Sequence, residues 1–304
     1  MRERVAPDAQ MEYMLYQTLV GIWPAREPDA GERRALYERV SEFARKAARE
    51  AKARTSWTDP DEEYERALAS FIRSLFDREE FLRELHSFVG TIAPSAAWNA
   101  LARVVLHLTS PGVPDLYQGD ELWNYSLVDP DNRRPVAYDR RAELLGELTG
   151  MSPLGDKAQA FPPLRLTEFS ADATKLALIH RLLRIRTSRP ALFAHGAYRP
   201  LAAHGERGEH IVAFARHLHA NPPNAPQSAI IVVPRLTHSF APDSPPIGDL
   251  WRDTIFRLPP DLAATHWLDA ISGRDLDPSE RASTDPALSI PVPISLVLSS
   301  APVA

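Results

Sequence analysis

Between Ser110 and Val136 the chain concentrates side chains that can do polar chemistry, in the run SPGVPDLYQGDELWNYSLVDPDNRRPV. Asp115, Tyr117, Glu121, Trp123 and Tyr125 come first, with Gly119 placed where the backbone can turn sharply. Asp129, Asp131, Asn132, Arg133 and Arg134 follow on a loop stiffened by Pro130 and Pro135. Two acids, an amide and two guanidinium groups suit sugar hydroxyls. Each hydroxyl both donates and accepts, so carboxylates accept, Arg and Asn donate, and aromatic faces cover the apolar side of a pyranose ring. Charge-assisted hydrogen bonds contribute about 1.5–3 kcal/mol each, so a few of them position one sugar. A plainer reading stays open beside this one: Asp129, Asp131, Arg133 and Arg134 pair with each other and hold a surface loop together. A self-contained hydrolytic site of Glu121, Asp129 and Asp131 is disfavoured, because all three lie in one short segment. Trp57 and Trp123 stand in polar surroundings and are candidate sugar platforms, whereas Trp98 fits a helical core stripe and Trp23 is expected to pack beside Pro24. The ten histidines show no HExxH or similar metal spacing.

The elements that must position these residues are helical before the run and β-like well after it. Tyr64, Leu68, Phe71, Ile72, Leu75 and Phe76 fall on one face at a period near 3.6, behind Asp59 and Glu62 at capping-box spacing with Pro60 at the first turn. Apolar spacing predicts further helices over 35–52, 80–92, 95–108, 139–148 and 174–186. Those between Ala35 and Leu108 are expected to expose apolar surface when the chain is alone. Pro111, Gly112 and Pro114 end the 95–108 helix, and Val113–Tyr117 has the length and apolarity of a buried strand that would deliver Asp115 and Tyr117 to its carboxyl end. The stretch 151–171 reads as loop. Nine of the 28 prolines lie in residues 1–150 and sixteen in the last 115 residues. That shift marks a boundary near residue 190. Beyond it, short strands are expected over 211–215, 229–233, 265–268 and 290–298, with loops over 221–227 and 241–248. These readings divide the chain into 1–190 and 191–304.

Composition bounds the function. The 304 residues carry 35 Lys plus Arg against 40 Asp plus Glu, a formal charge of -5 that provides no field for nucleic acid. There is no cysteine, so neither disulfides nor thiolate metal sites exist, and a cytoplasmic location is expected. No segment reads as a signal peptide or a membrane span.

The run from Pro111 to Val136 resembles the maltooligosyl trehalose synthases, a branch of the α-amylase superfamily. PGVPDLYQGDELW followed by SLVDPDNRRPV is similar to that family's hallmark around the eighth strand of its (β/α)8 barrel, and MEYMLYQTLVGIWP, TSWTDPDEEYE and residues 175–198 are similar to its flanking segments. The resemblance implies an α/β plus all-β chain: the last, mostly helical part of the barrel in residues 1–190, then an antiparallel, β-sandwich-like domain in 191–304. It implies an intramolecular transglucosylation (an isomerase) in trehalose biosynthesis, converting the reducing-end α-1,4 bond of a maltooligosaccharide to α-1,1 without a cofactor. The family's catalytic carboxylates belong to strands four, five and seven, whose motifs are absent here. No residue of this chain is therefore expected to be catalytic. Trp57, Tyr117, Glu121, Trp123, Asp129, Asn132, Arg133 and Arg134 are expected to bind substrate, with the N-terminal portion of the same enzyme as partner. Arg54, where His is more usual, and Asp120, where Thr is common, depart from the family pattern. The alternative is a non-enzymatic module that binds maltooligosaccharide or supports assembly.

Overall fold

The computed structural model describes residues 6–149, 172–219, 227–258, 262, 267–271, 275–276, 287–288 and 295–299. Within it the chain separates into two compact units. One comprises residues 1–93 and 124–136, the other residues 94–123 and 137–304.

The first unit is helical. Helix α1 (Ala9–Ile22), for which the sequence reading gave no element, is capped by Asp8, whose carboxylate accepts from the Met11 N–H at 3.1 Å. Helix α2 (Ala30–Ala51) starts earlier than apolar spacing predicted because Asp29 and Glu32 form a reciprocal capping box. Helix α3 (Glu62–Phe76) is capped by Asp61, not Asp59, so the expected box with Glu62 does not form. Instead the Asp61 N–H donates to Thr55 Oγ1 at 3.0 Å, and the turn before the helix holds Pro60 outside it. The stripe read from the sequence is buried as expected: Tyr64, Leu68, Ile72 and Leu75 join Leu15, Leu19, Leu36, Val40 and Val89 in one core. Trp23 is buried here against Phe76, ring centroids 6.4 Å apart. Between Ala35 and Leu108 only Trp57 and Phe88, among the large apolar side chains described, are exposed. Little of the expected apolar surface appears: the stripes up to Val89 are buried in this core, and the one from Trp98 to Leu108 in another that includes strand residues.

Helix α4 (Glu79–Thr109) replaces the two helices predicted over 80–92 and 95–108, and Pro94 lies inside it. An interior proline costs roughly 3 kcal/mol. Buried apolar side chains contribute about 1.5–3 kcal/mol each, and both sides of Pro94 carry several: Leu82, Leu85 and Val89 before it, Trp98, Leu101, Val105 and Leu108 after it. Packing therefore outweighs the break. The two units divide within this helix, between Ala93 and Pro94.

In the second unit helices α5 (Tyr138–Thr149), α6 (Asp172–Ser188) and α7 (Pro190–His195) are followed, among the described residues, by nine strands. They are β1 (Ala197–Leu201), β2 (Ala203–His204), β3 (Ile211–Leu218), β4 (Gln227–Pro234), β5 (Ile255–Arg257), β6 (Trp267–Asp269), β7 (Asp275–Leu276), β8 (Ala287–Leu288) and β9 (Ser295–Ser299). One sheet has the order β1-β3-β4-β9-β6-β7 and the other β2-β5-β8, with every pairing antiparallel. Alternation along β3 and β4 sends Phe214, Ala229, Ile231 and Val233 into a core with α4, α6 and α7, and Ala213, Ala215, Ile230 and Val232 into a second core with Phe256. Covered on both faces, β4 reads as a continuous apolar run. Pro200 is tolerated because β1 is an edge strand. The predicted strands over 211–215 and 229–233 appear and extend further; 265–266, 290–294, and the loops over 151–171 and 221–226 lie outside the described residues.

Val113–Tyr117 forms no strand. Val113 is 96% exposed, and among the described residues no parallel neighbour offers a ladder. The Asp115 N–H is taken instead by the His107 ring at 3.1 Å. Behind this segment, Arg216 on β3 is fully buried and donates to the carbonyls of Thr109 (3.0 Å), Phe193 (2.9 Å) and Gly196 (2.9 Å), closing the ends of α4 and α7. Arg216→Ala strips buried carbonyls of their donors and is expected to cost about 3 kcal/mol in urea unfolding. A loss below about 1 kcal/mol would show that the ends of α4 and α7 are held by other means.

Candidate functional site

The residues singled out from the sequence are divided between the two units. In the first unit, residues 124–136 form an irregular loop with a single 3-10 turn, Asp131–Arg133. An irregular backbone needs partners from elsewhere, and α2 supplies them. Arg39 grips Asp131 with two bonds of 2.9 and 2.8 Å and donates to the Tyr125 carbonyl at 2.5 Å. Lys46 donates to the Asp129 carbonyl at 2.5 Å and lies 3.4 Å from its carboxylate. Asp131 also accepts from the Leu127 N–H at 2.7 Å and pairs with Arg134 at 2.9 Å, while Asp129 pairs with Arg133. Burial pushes the Asp131 carboxyl up. The Arg39 bonds, the Leu127 N–H and the Arg39 and Arg134 charges outweigh it and hold the group below the usual carboxylate range.

The loop acids and arginines thus pair as the plainer reading of the sequence allowed, yet their outer groups remain accessible. The Arg133 and Arg134 side chains are 74% and 54% exposed. A guanidinium has five N–H donors, so an ion pair leaves others for a ligand. Trp57 is 57% exposed, with the Arg49 guanidinium 4.9 Å from its ring centre. Arg49 is itself fixed on Glu65 by bonds of 2.8 and 2.7 Å, which holds the cation over the indole.

In the second unit, Gly119 takes φ +96, a left-handed value that favours glycine. Glu121 folds back on it: its carboxylate accepts from the Gly119 N–H at 3.1 Å and from Arg141 Nε of α5 at 2.8 Å, and Arg141 also donates to the Gly119 carbonyl at 2.7 Å. Burial raises the Glu121 carboxyl, but Arg141 and the backbone donors prevail and hold it below its ordinary value. The Trp123 N–H donates to Asp172 at 3.2 Å, and Lys175 donates to the Leu122 carbonyl at 2.9 Å with its ammonium 5.5 Å from the Trp123 ring centre. Lys175 is buried, and that burial lowers its pKa against the pull of Asp120, Glu121 and Asp172. Tyr117 is 44% exposed.

The structure therefore gathers Asp129, Asn132, Arg133 and Arg134 on one loop and Tyr117, Glu121 and Trp123 on one segment of the other unit, with Trp57 on a separate turn of the first. Sequence reasoning missed Arg39, Lys46, Arg141, Asp172 and Lys175. Each lies on a helix at a position that reads as ordinary solvated charge, and no signal in the chain links it to residues 20 to 92 positions away. Among the described residues no group of three or more His, Cys, Asp or Glu is placed to hold a metal ion, and no helix is long and apolar enough to cross a membrane.

No family model matches the chain. A Mycobacterium tuberculosis protein that carries the name maltooligosyl trehalose synthase is 34% identical over 268 residues, 88% of this chain and 29% of that protein. The solved maltooligosyltrehalose synthase of Arthrobacter ramosus superposes with a TM-score of 0.67 at 31% identity, covering 95% of this chain and 32% of that one. A Sulfolobus tokodaii structure described by the same enzyme name gives 0.60 at 26% identity, over 94% of this chain and 32% of that one. The chain thus spans about a third of the length of each relative.

Both clamped carboxylates have folded pKa values below those of the unfolded chain, about 3.9 for Asp and 4.3 for Glu. The stability they contribute is complete above those unfolded values and is lost as the pH falls through the folded ones. Arg39→Met is expected to move the NMR titration of the Asp131 carboxyl upward and to weaken the acid-side fall in stability. An Asp131 titration unmoved by that substitution would contradict the clamp.

Proposed function

Because this chain is homologous to maltooligosyl trehalose synthases along 88% of its length, we propose that it is the C-terminal part of such an enzyme: the end of an α-amylase-type (β/α)8 barrel up to about residue 190, followed by a β-sandwich-like domain. The activity proposed is conversion of the reducing-end α-1,4 bond of a maltooligosaccharide to α-1,1, an intramolecular transglucosylation in trehalose biosynthesis. A cytoplasmic setting belongs to the same proposal, since the cysteine-free sequence needs no oxidising compartment to fold.

In this reading the chain binds sugar and leaves bond cleavage to carboxylates outside it. Retaining chemistry needs a nucleophilic carboxylate and, about 5 Å away, an acid that is still protonated near neutral pH. Glu121 and Asp131 are unsuited to the second role, since arginines hold both ionised. Glu121, its side chain 28% exposed, stays a permanent acceptor that suits a sugar hydroxyl, whereas Asp131 is 8% exposed and taken up by Arg39, Arg134 and the Leu127 N–H. Arg133, Arg134 and Asn132 supply donors, Asp129 a further acceptor, and Trp57, Trp123 and Tyr117 aromatic faces for the pyranose rings. Between cleavage and re-closure the released glucose must turn over while water is kept out.

The test is an activity assay on maltopentaose. The isolated chain is expected to be inactive and to yield a trehalose-capped product once joined to the preceding barrel segments of a relative. In that joined enzyme Arg134→Ala is expected to raise KM several-fold. Trehalose-capped product from the isolated chain would refute the assignment of the catalytic acids to another segment.

A further inference from the structure

We propose that His217 and His219, on the β3–β4 hairpin, form a two-histidine site for a divalent transition metal of the zinc class, with Ser228 as the outer partner. Residues two apart on an extended strand share a face, and the two rings meet at right angles with centroids 4.5 Å apart. His217 Nε2 and His219 Nδ1 stand 3.3 Å apart. The two nitrogens share a hydrogen bond whose direction depends on the ring tautomers, and a bound metal would take the place of its proton. Their distance matches the separation of two nitrogens bound tetrahedrally to one zinc ion: Zn–N bonds of about 2.0–2.1 Å place them roughly 3.3 Å apart.

The other ring nitrogen of His217 is also accounted for. Nδ1 lies 2.7 Å from Ser228 Oγ, directly across the ladder in the β3–β4 register. An Nδ1–H donated to that hydroxyl leaves the lone pair on Nε2, the nitrogen that faces His219. Second-sphere bonds of this kind fix the tautomer and ring orientation of a metal ligand. His219 joins by carrying its proton on Nε2, so binding changes a tautomer and leaves the net charge of the ligands unaltered. His217 is 8% exposed and held by the sheet, whereas His219 is exposed, which gives a cation a rigid ligand and an entry side. Among the described residues no third His, Cys, Asp or Glu makes a group of three with the pair. The site lies in the strand domain and stands apart from the sugar reading.

Calorimetric titration of the chelator-treated full chain with Zn2+ tests this. One saturable site is expected, weakened at least about tenfold in His219→Ala, whose exposed side chain can be removed without loss of fold as checked by circular dichroism. Ser228→Ala is expected to keep the stoichiometry and weaken binding about tenfold. His204→Ala, exposed and on the other sheet, is expected to leave the affinity unchanged. Absence of saturable binding in the wild-type chain, or equal affinity in His219→Ala, would overturn the proposal.

Discussion

Irregular backbone carries the candidate residues, and the polar groups of such backbone must find partners outside any regular ladder. In this protein charged side chains from neighbouring helices provide them. In the first unit Arg39 takes the Tyr125 carbonyl and Lys46 the Asp129 carbonyl, while Asp131 takes the Leu127 N–H. In the second, Arg141 takes the Gly119 carbonyl, Lys175 the Leu122 carbonyl and Asp172 the Trp123 N–H. The same device recurs deeper, where Arg216 serves Thr109, Phe193 and Gly196. Hydrogen bonds to charged groups are roughly twice as strong as neutral ones, so a handful can order a loop that has no strand or helix of its own.

This commitment decides the chemistry open to the acids. A carboxylate clamped by an arginine stays ionised and accepts hydrogen bonds, which fits ligand binding and excludes the proton-donor role at neutral pH. It also divides labour within the pairs. Arg39 and Arg141 are largely buried and structural, their side chains 17% and 16% exposed, whereas Arg133 and Arg134 meet solvent. On the proposed reading the exposed arginines are the ones through which the loop would meet a hydroxyl-rich ligand.

Much of this was legible in the sequence, and the failures have physical causes. Amphipathic stripes found α2, α3, α5 and α6, because burial of a helical face leaves a period near 3.6. Pro94 misled: local propensity argued for a break, and packing on both sides overrode it. The strand expected at Val113–Tyr117 failed for the opposite reason, since apolarity over a strand's length does not supply the neighbour that a ladder requires. Strand β1 was missed because Pro200 reads as a breaker until the strand is seen at the edge. For the candidate site, the dense run from Ser110 to Val136 announced itself by composition. The helix residues that hold it did not, because an arginine that clamps a distant loop looks the same in sequence as one that faces water.

The central claim is that this chain grips a maltooligosaccharide through the exposed side chains of its clamped segments. With the indole groups 15N-labelled, the six tryptophans report separately as maltopentaose is added. The account predicts saturable shifts confined to the Trp57 and Trp123 indoles, with Trp98 and Trp267, both buried in cores, unmoved. Shifts at the buried indoles alone, or a spectrum indifferent to the sugar, would contradict it.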